Sequence, residues 1–309
     1  MAKILDGRVV RDKFAADLKR KIAKLDQKPT LAIVQIGNLA QSSAYIRQKK
    51  LFGEKIGAKV THLKFSATIA QSKLIKVIEK LNKDRRIDGI IIQLPIPRHL
   101  NKSEIIETIL PEKDVDGLHS KNVKKLWTGE DDGLIGATPR GILNLIKYYR
   151  IPIRGKRAVV VGRSALVGRP TAALLLKEGA TITTAHRQTK DLAAQTRQAD
   201  LLVVAAGVPN LIGSRHVKKG QVIVDVGINL IAGRPSSKKN KKITKLQEEI
   251  SAPKMVGDVD FKNVSKIVKA ISPVPGGVGP MTVAALFQNL VETNMRKIEK
   301  GNKRIKRNR

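Results

Sequence analysis

A lysine within an otherwise apolar helical stripe is the first candidate for chemistry in this sequence. Tyr45 and Lys49 are four residues apart in a predicted helix that begins at Ser42, so they share a face, which Phe52 and Ile56 extend. A lysine there either extends its ammonium to water or is partly desolvated. Desolvation disfavours the charged form and lowers the lysine pKa, which would make Lys49 a usable proton-transfer group.

Two further polar residues could act with this lysine. Gln93 lies at the carboxyl end of a predicted strand, Ile87–Leu94, where open α/β sheets place ligand contacts. Its amide either bonds Lys49 or a ligand, or is simply exposed at the strand end. Asp114 and Asp116 precede a glycine in a polar turn, where acids commonly serve the turn itself. Asp116 could also accept hydrogen bonds from an aminopyrimidine-type ring.

The segment Ile271–Thr282 combines three prolines with three glycines immediately before a helical pattern. Proline fixes φ and glycine permits positive φ, so the segment is predicted to be a rigid, sharply folded loop. Backbone N–H groups at Gly276, Gly277 and Gly279 could closely approach a flat or anionic ligand, and Thr282 could cap the helix. The alternative is an ordinary tight connection before a C-terminal helix.

A second glycine loop, Gly162–Gly168, lies between a predicted strand, Arg157–Val161, and a predicted helix. This is the position of the dinucleotide-binding loop in a βαβ unit. The loop is not a G-x-G-x-x-G sequence, because Ser164 replaces the second glycine. Its position in the chain nevertheless favours a dinucleotide site.

The end of the next predicted strand, Thr181–Ala185, indicates which dinucleotide is bound. NAD sites place an acid there to hold the ribose hydroxyl, whereas this chain continues with His186 and Arg187. A carboxylate would repel a 2′-phosphate, while Arg187, His186 and Arg163 could pair with one. The pattern favours NADP, unless Arg187 is only one more surface cation among 60 lysines and arginines.

The elements that must position these residues alternate between strand and helix, which is typical of parallel α/β sheets. A second βα series begins near residue 157, and a linking helix is predicted from Thr138, its N-cap, with Pro139 at its first position. The predicted domains are residues 1–137 and 138–279. A helix over 280–296 is expected to pack back on the first domain, followed by a basic, disordered tail over 297–309.

Composition limits the possible functions. The 309 residues contain no cysteine, and the five histidines lack metal-ligand spacing, so we expect a cytosolic enzyme without a metal. No apolar run is long enough to span a bilayer. The net charge of +34 suggests nucleic acid, yet aromatics make up only 3% and the dense basic segments are confined to Arg234–Lys245 and Arg296–Arg309. We expect at most weak, non-specific nucleic-acid binding, and a preference for anionic small molecules.

Taken together, these segments resemble the bifunctional methylenetetrahydrofolate dehydrogenase/cyclohydrolases. The matching pieces occur in family order along nearly the whole chain, and the ordered set is highly specific. They are Tyr45-x-x-x-Lys49, Asp88-Gly-Ile-Ile-Ile-Gln-Leu-Pro-Ile-Pro97, Lys113-Asp-Val-Asp-Gly117, Thr138-Pro-x-Gly141, Val160-Val-Gly-Arg-Ser164 with Val167-Gly-Arg-Pro170, Gly227-Ile-Asn229, Gly257-Asp-Val259 and Ser272-Pro-Val-Pro-Gly-Gly-Val-Gly-Pro-Met-Thr282.

The resemblance implies an N-terminal α/β catalytic domain, a Rossmann-like NADP-binding domain and an active-site cleft between them. It implies NADP-dependent oxidation of 5,10-methylenetetrahydrofolate to the methenyl cation, then hydrolysis to 10-formyltetrahydrofolate. The expected setting is one-carbon metabolism and purine biosynthesis in the cytoplasm. The expected partners are tetrahydrofolates, including polyglutamated forms, and a second copy of the chain, joined through the cofactor domains.

The resemblance also assigns roles to residues. Lys49 manages protons and water in the hydrolysis and Gln93 tunes it, while Tyr45 packs on the folate and Asp116 holds the pterin ring. The remaining folate contacts implied are Leu94, Pro275, Gly276, Gly277, Val278 and Gly279. The cofactor contacts implied are Gly162, Arg163, Ser164, His186, Arg187 and Ile228.

Three departures from the family pattern stand out. Ala137 replaces a frequent cysteine before Thr-Pro, and Lys124 replaces a frequent small residue. Residues 230–250 are longer and more basic than is usual. None of these changes touches the inferred chemistry directly, although the last could alter the dimer edge or the cofactor entrance.

Overall fold

The chain forms two compact units, seen in a computed structural model that describes residues 1–231 and 254–307. The three-stranded unit comprises Arg8–Tyr148 and the chain from Pro280 onward. The six-stranded unit comprises Met1–Gly7 and Tyr149–Gly279. Each unit contains a parallel sheet with helices, so the predicted α/β class is confirmed.

The three-stranded unit is built on a parallel sheet in the order β3-β2-β4. Its strands are β2 Thr30–Ile36, β3 Lys59–Phe65 and β4 Gly89–Gln93. Strands β2 and β4 are buried along their whole length, as their nearly continuous apolar sequences predict. The helices are α1 Gly7–Ile22, α2 Ala40–Ile56, α3 Gln71–Lys83, α4 Lys102–Glu107, α5 Ser120–Thr128 and α6 Ala137–Tyr148.

Each face of this sheet has its own apolar core. On one face Ile33 packs with Phe52 of α2 and Phe287 of the C-terminal helix, Val278–Arg307. The rings of Phe52 and Phe287 are 5.4 Å apart between centroids and are tilted by 43°. On the other face Val34 packs with Leu74 of α3. Helix α2 is therefore held firmly against the sheet by aliphatic and aromatic contacts.

The six-stranded unit has a parallel sheet in the order β1-β11-β8-β7-β5-β6. Its strands are β1 Lys3–Ile4, β5 Arg157–Val161, β6 Thr181–Ala185, β7 Leu201–Val204, β8 Val222–Asp225 and β11 Ala270–Ile271. A separate antiparallel pair joins β9 Asn229–Ile231 to β10 Lys254–Val256. The helices are α7 Gly168–Lys177, α8 Leu192–Gln198 and the short Phe261–Val264, with a 3₁₀ turn at Ser214–His216.

The order of strands places a topological switch at β5. The chain passes from β5 to β6 on one side and then crosses to β7 on the other. Ligands of open α/β sheets bind at the carboxyl ends of the strands beside such a switch. This unit therefore has the Rossmann-like architecture that the glycine loop predicts.

The division between the units differs from the predicted boundary of 137/138. Helix α6 belongs to the three-stranded unit, where Asn144 donates to Gln288 at 2.8 Å and Arg140 pairs with Glu292. Residues 1–7 belong to the six-stranded unit because β1 pairs with β11. Helix α6 also begins at Ala137, so Thr138 is inside the helix rather than its N-cap.

The C-terminal helix differs from its prediction at both ends. It begins at Val278, so Thr282 lies within the helix instead of capping it. Pro280 is compatible with this start because a proline in the first turn sacrifices no helical hydrogen bond. The helix runs on to Arg307, past the predicted helix end at position 296, and the ammonium of Lys297, the first residue of the predicted tail, donates to Asp88 at 2.8 Å.

Two predicted features fall on residues that the structure does not describe. The basic segment Arg234–Lys245 and most of the long insertion over 230–250 lie outside the described residues. Across the described ranges, no helix has the length and apolar character required to cross a membrane.

Candidate active site

Lys49 is buried in the three-stranded unit, with only 9% of its surface exposed. Its Nζ donates a hydrogen bond to Oε1 of Gln93 at 2.9 Å. Burial lowers the pKa of Lys49, and the negative charge of Asp116 opposes that shift. Of the two alternatives for Lys49, the structure selects desolvation over extension to water.

The packing of α2 determines where this lysine lies. Its buried residues follow helical spacing and are Ser42, Ile46, Lys49, Phe52, Gly53 and Ile56. A Cβ at Gly53 would lie 2.6 Å from Val60 and 3.1 Å from Phe287, so only glycine lets the helix approach this closely. The close approach brings the tip of Lys49 to the carboxyl end of β4.

Gln93 is fixed by a second hydrogen bond. Its Nε2 donates to the carbonyl oxygen of Leu94 at 2.9 Å, which turns Oε1 toward Lys49. Of the alternatives left by the sequence, the bond to Lys49 is present and the exposed strand-end side chain is not. Gln93 therefore holds a nearly buried amine in a defined orientation.

The two acids of the polar turn have different environments. Asp114 accepts hydrogen bonds from the backbone N–H of His119 at 2.8 Å and from Asn122 at 3.0 Å, so it serves the turn. The carboxyl group of Asp116 instead interacts with the charge of Lys49. Burial raises the pKa of Asp116, and Lys49 opposes that shift. The lysine and this acid therefore form a desolvated, electrostatically coupled pair.

Tyr45 and Ser42 extend the Lys49 face toward the start of α2. Tyr45 is half-buried, and burial raises the pKa of its hydroxyl, which keeps it protonated. Ser42 is 4% exposed, and its hydroxyl finds no hydrogen-bond partner among the described residues. Such unpaired buried groups are uncommon, so Ser42 is a further polar group on the Lys49 face. Sequence reasoning overlooked Ser42, although it lies three residues before Tyr45 on the same face.

The loop after β5 is shaped by two tight glycine contacts in the six-stranded unit. Gly162 has φ of +121°, and a Cβ there would lie 2.1 Å from the carbonyl oxygen of Ala205. A Cβ at Gly168 would lie 2.1 Å from the carbonyl oxygen of Gly162. The hydroxyl of Ser164 accepts from the N–H groups of Val167 and Gly168, both at 3.3 Å. Ser164 thus organises the start of α7 in place of a second glycine.

The other predicted cofactor residues lie at the same edge of this sheet. His186 and Arg187 follow β6, and Ile228, 39% exposed, follows β8. Arg163 donates to Gln188 at 3.0 Å and so links the loop after β5 with the loop after β6. The nearest acid in that loop, Asp191, accepts from the N–H of Ala194 at 2.9 Å as the cap of α8. The edge therefore presents cations where an NAD site would present a carboxylate.

The proline- and glycine-rich loop is held partly by its own backbone. Gly277 N–H donates to the carbonyl oxygen of Pro273 at 2.8 Å, so this N–H is not available to a ligand as the sequence suggested. Gly276, with φ of +108°, accepts from Gly7 at 2.8 Å. Space is open beside Gly279, where a Cβ would meet no atom within 4 Å. Pro275 and Val278 belong to the same loop and the start of the helix.

Among the described residues, no group of three or more histidine, aspartate or glutamate side chains converges in a way that could hold a metal ion.

Comparison with known proteins identifies two successive domains of one family in this chain. The tetrahydrofolate dehydrogenase/cyclohydrolase catalytic domain matches residues 5–116, and the NAD(P)-binding domain of the same name matches residues 136–298. The bifunctional protein FolD of Ligilactobacillus salivarius is 40% identical over 301 residues, covering 96% of this chain and 99% of that protein.

Solved structures give the same result. The bifunctional FolD enzyme from Campylobacter jejuni is 40% identical with a TM-score of 0.87, covering 96% of this chain and 100% of that one. The Trypanosoma brucei FolD enzyme, solved with NADP and an inhibitor, is 31% identical with a TM-score of 0.88, covering 96% and 98%. Because both domains of the family match in order and such relatives cover nearly the whole chain, this protein belongs to the tetrahydrofolate dehydrogenase/cyclohydrolase family.

Proposed function

We propose that this protein oxidises 5,10-methylenetetrahydrofolate with NADP⁺ and hydrolyses the resulting methenyl cation to 10-formyltetrahydrofolate. The observation that carries the proposal is the desolvated Lys49, hydrogen-bonded to Gln93 within the unit that matches the family's catalytic domain. A dehydrogenase that lacked the second activity would have no need of a buried, oriented amine. Lys49, Tyr45, Gln93 and Asp116 are therefore the catalytic residues of this proposal.

In the hydrolysis, water adds to the methenyl carbon and one proton is released. Neutral Lys49 accepts that proton as the carbon–oxygen bond forms, because burial disfavours its charged state. Gln93 accepts an N–H from the amine and so directs its lone pair. The C–N bond at N5 then breaks as N5 gains a proton and the hydroxyl of the adduct loses its proton to become the formyl oxygen, so the formyl group stays on N10 and one proton is released overall.

Folate binding is assigned to the other substrate residues predicted from the resemblance. Tyr45 packs against the aromatic ring system, and Asp116 accepts hydrogen bonds from the aminopyrimidine part of the pterin. Leu94 contributes through the same strand end as Gln93. Further contacts come from the glycine loop, at Pro275, Gly276, Gly277, Val278 and Gly279.

NADP fits the carboxyl edge of the six-stranded sheet. The close packing of Gly162 on Ala205 leaves the loop after β5 without a side chain where a pyrophosphate approaches. Arg163, His186 and Arg187 hold the 2′-phosphate, and Ser164 and Ile228 line the same edge. When bound, NADP⁺ supplies the acceptor for the hydride that leaves the methylene carbon.

The direct test is to add 5,10-methylenetetrahydrofolate and NADP⁺ to the purified protein and follow ultraviolet absorbance. We expect NADPH to appear and the methenyl species to remain transient because it is hydrolysed. Accumulation of a stable methenyl species beyond its spontaneous decay would leave a dehydrogenase alone. Absence of NADPH formation would remove the whole proposal.

The pH dependence of the hydrolysis should report the Lys49–Asp116 pair. Activity should rise with pH as Lys49 loses its proton, with a midpoint below the ordinary lysine pKa because burial lowers it. Asp116→Asn removes the charge that raises the pKa of Lys49, so the midpoint should move to lower pH. Glu54→Gln, an exposed change on the same helix, is the matched control and should leave it in place. A midpoint that Asp116→Asn does not move would contradict the coupling.

The assembly and setting follow from the same proposal. The protein is a homodimer joined through its NADP-binding units, which is supported by exposed apolar side chains on the antiparallel pair: Leu230 at 59%, Ile231 at 39% and Met255 at 37%. The absence of cysteine supports a cytoplasmic location. The product, a formyl donor, suits one-carbon transfer in purine biosynthesis.

The excess positive charge raises encounter rates with anionic folates and NADP, including polyglutamated folates, and gives only weak nucleic-acid binding. Deleting residues 300–309 should weaken DNA binding and its salt dependence while both folate activities persist. The deletion starts at 300 because Lys297 is bonded to Asp88. Fluorescence anisotropy with labelled DNA at several salt concentrations measures this. Tight, sequence-selective binding in high salt would make nucleic acid a primary ligand.

A further inference from the structure

Two buried carboxylates, Asp225 and Asp258, lie at the carboxyl edge of the six-stranded sheet but take no part in the chemistry proposed above. Asp258 is fully buried and Asp225 is 3% exposed. Asp258 lies within the segment Gly257-Asp-Val259, and Asp225 ends β8 two residues before the segment Gly227-Ile-Asn229. Among the residues of these two segments, the proposed function gives a role only to Ile228.

Asp258 holds the loop that follows β7. Its Oδ2 accepts from the backbone N–H groups of Ala206 at 2.6 Å and Gly207 at 2.8 Å. Its Oδ1 accepts from the side chain of Asn229 at 2.9 Å, in the segment after β8. One carboxylate therefore connects the ends of two neighbouring strands.

Asp225 holds the segment that carries Asp258. Its Oδ1 accepts from the N–H groups of Gly227 and Asp258, and its Oδ2 accepts from Val259, all at 3.0 Å. Burial raises the pKa of Asp225 to about 7, against the effect of these three N–H donors and with the help of the nearby charge of Asp258. The three backbone groups that contact the carboxylate are all hydrogen-bond donors, so the geometry suits the ionised form of Asp225. Keeping that charge buried lowers the free energy of unfolding.

The glycines of both motifs make room for these carboxylates. A Cβ at Gly227 would lie 2.3 Å from Oδ1 of Asp258, and a Cβ at Gly257 would lie 1.9 Å from Oδ2 of Asp225. The loop after β7 in turn packs on the cofactor loop, since Gly162 lies directly against Ala205. Both carboxylates are thus built into the framework on which the dinucleotide would rest.

The location identifies which half of the cofactor is involved. A dinucleotide straddles the switch point, with one half on each side of the first strand. Arg187 at the end of β6 takes the phosphorylated adenosine half, so the nicotinamide half falls over β7 and β8.

We propose that Asp258 and Asp225 are positioning residues that hold the loops after β7 and β8 in the arrangement that receives the nicotinamide half of NADP⁺. This inference rests on the proposed function for the identity of the cofactor. It assigns no contact between either carboxylate and the cofactor. A nicotinamide displaced by about 1 Å can lower the rate of hydride transfer by about 10²-fold.

Isosteric and truncating substitutions separate this role from general stability. Asp258→Ala leaves two backbone N–H groups without acceptors, so we expect NADP⁺ affinity to fall by about 10- to 100-fold. Asp258→Asn should retain most of the affinity, because its amide oxygen can face the two N–H groups while Asn229 turns its own amide. Asp225→Asn should be worse than Asp258→Asn, because its NH₂ must face a backbone N–H whichever way it turns.

The measurements are NADP⁺ binding by calorimetry, dehydrogenase kinetics with NADP⁺ and NAD⁺, and hydrolysis of supplied methenyltetrahydrofolate. Asp258→Ala should lower kcat/KM for both cofactors by equal factors and leave hydrolysis within about twofold, because Lys49 lies in the other unit. Asp260→Ala is the matched control and should bind NADP⁺ normally, since among the described residues the carboxylate of Asp260 accepts from the backbone and side chain of Asn263 in the short helix Phe261–Val264.

Three results would overturn the proposal. They are unchanged NADP⁺ affinity in Asp258→Ala, loss of hydrolysis in parallel with cofactor binding, and Asp225→Asn binding as well as Asp258→Asn. If Asp258→Ala does not fold, the comparison of the two asparagine variants still decides. A wild-type protein that binds NADP⁺ but does not oxidise folate would remove the proposed function while leaving the binding comparison intact.

Discussion

Lys49→Met is expected to lower the hydrolysis of methenyltetrahydrofolate by at least about 10²-fold, because general acid–base groups typically contribute 10²–10⁴-fold. Methionine is similar in length and apolar, so it fits the face formed with Ile46 and Phe52 without leaving a cavity. Gln93 cannot replace the lysine, because an amide does not accept a proton near neutral pH. Hydrolysis of purified methenyltetrahydrofolate, followed by absorbance, measures the loss.

Lys50→Met is the matched control for this variant. Lys50 is the next residue on α2, is exposed and contacts Nδ1 of His62 at 3.0 Å, away from Gln93. The same chemical change there should leave hydrolysis near the wild-type rate. NADP⁺ binding should survive in both variants, because the cofactor edge belongs to the other unit. Near wild-type hydrolysis by Lys49→Met would remove Lys49 from the mechanism.

The sequence could predict Lys49 because a helix repeats its buried face every three or four residues. A lysine in register with Tyr45 and Phe52 lies on the buried face of the helix. A glutamine at the carboxyl end of a strand can then accept a hydrogen bond from it. What periodicity could not determine was whether the ammonium reaches water. That depended on Gly53, which allows α2 to approach Val60 and Phe287 closely enough to bury the side chain.

Longer elements were also predictable, since nearly continuous apolar runs such as those of β4 and β5 are typical of strands buried in a parallel sheet. Strands β1 and β11 were not, because two residues cannot display a period. Their pairing moved the first seven residues into the six-stranded unit. The domain boundary is therefore set by contacts between residues far apart in sequence.

Contacts between residues far apart in sequence also explain which features of the functional sites could not be predicted from the sequence. Asp258 bonds backbone groups about 50 positions earlier in the chain, a pairing that local sequence does not encode. Likewise, the sequence left open whether the N–H of Gly277 approaches a ligand, whereas in the structure it donates to the carbonyl oxygen of Pro273. Glycine in a sequence indicates close approach but not what approaches.

The second large effect is expected from Arg187→Glu, which should change cofactor preference. Arg187 follows β6 and is exposed, in a loop whose acid, Asp191, already caps α8. Losing a charge-assisted hydrogen bond to the 2′-phosphate and adding repulsion should cost about 1.5–3 kcal/mol. That corresponds to a fall of about 10- to 150-fold in kcat/KM for NADP⁺ relative to NAD⁺. Steady-state kinetics with both cofactors measures the ratio.

Lys219→Glu makes the same change in charge at an exposed site just before β8, at the opposite edge of the same sheet. A general effect of the +34 net charge would alter NADP⁺ use in both variants alike, and would weaken as salt screens exposed charges beyond about 8 Å. A local contact predicts that only Arg187→Glu changes the NADP⁺/NAD⁺ ratio. If neither variant changes it, the phosphate is held by Arg163 or His186 instead. The same exchange at Arg163 then distinguishes them, because Arg163 reaches this loop through Gln188.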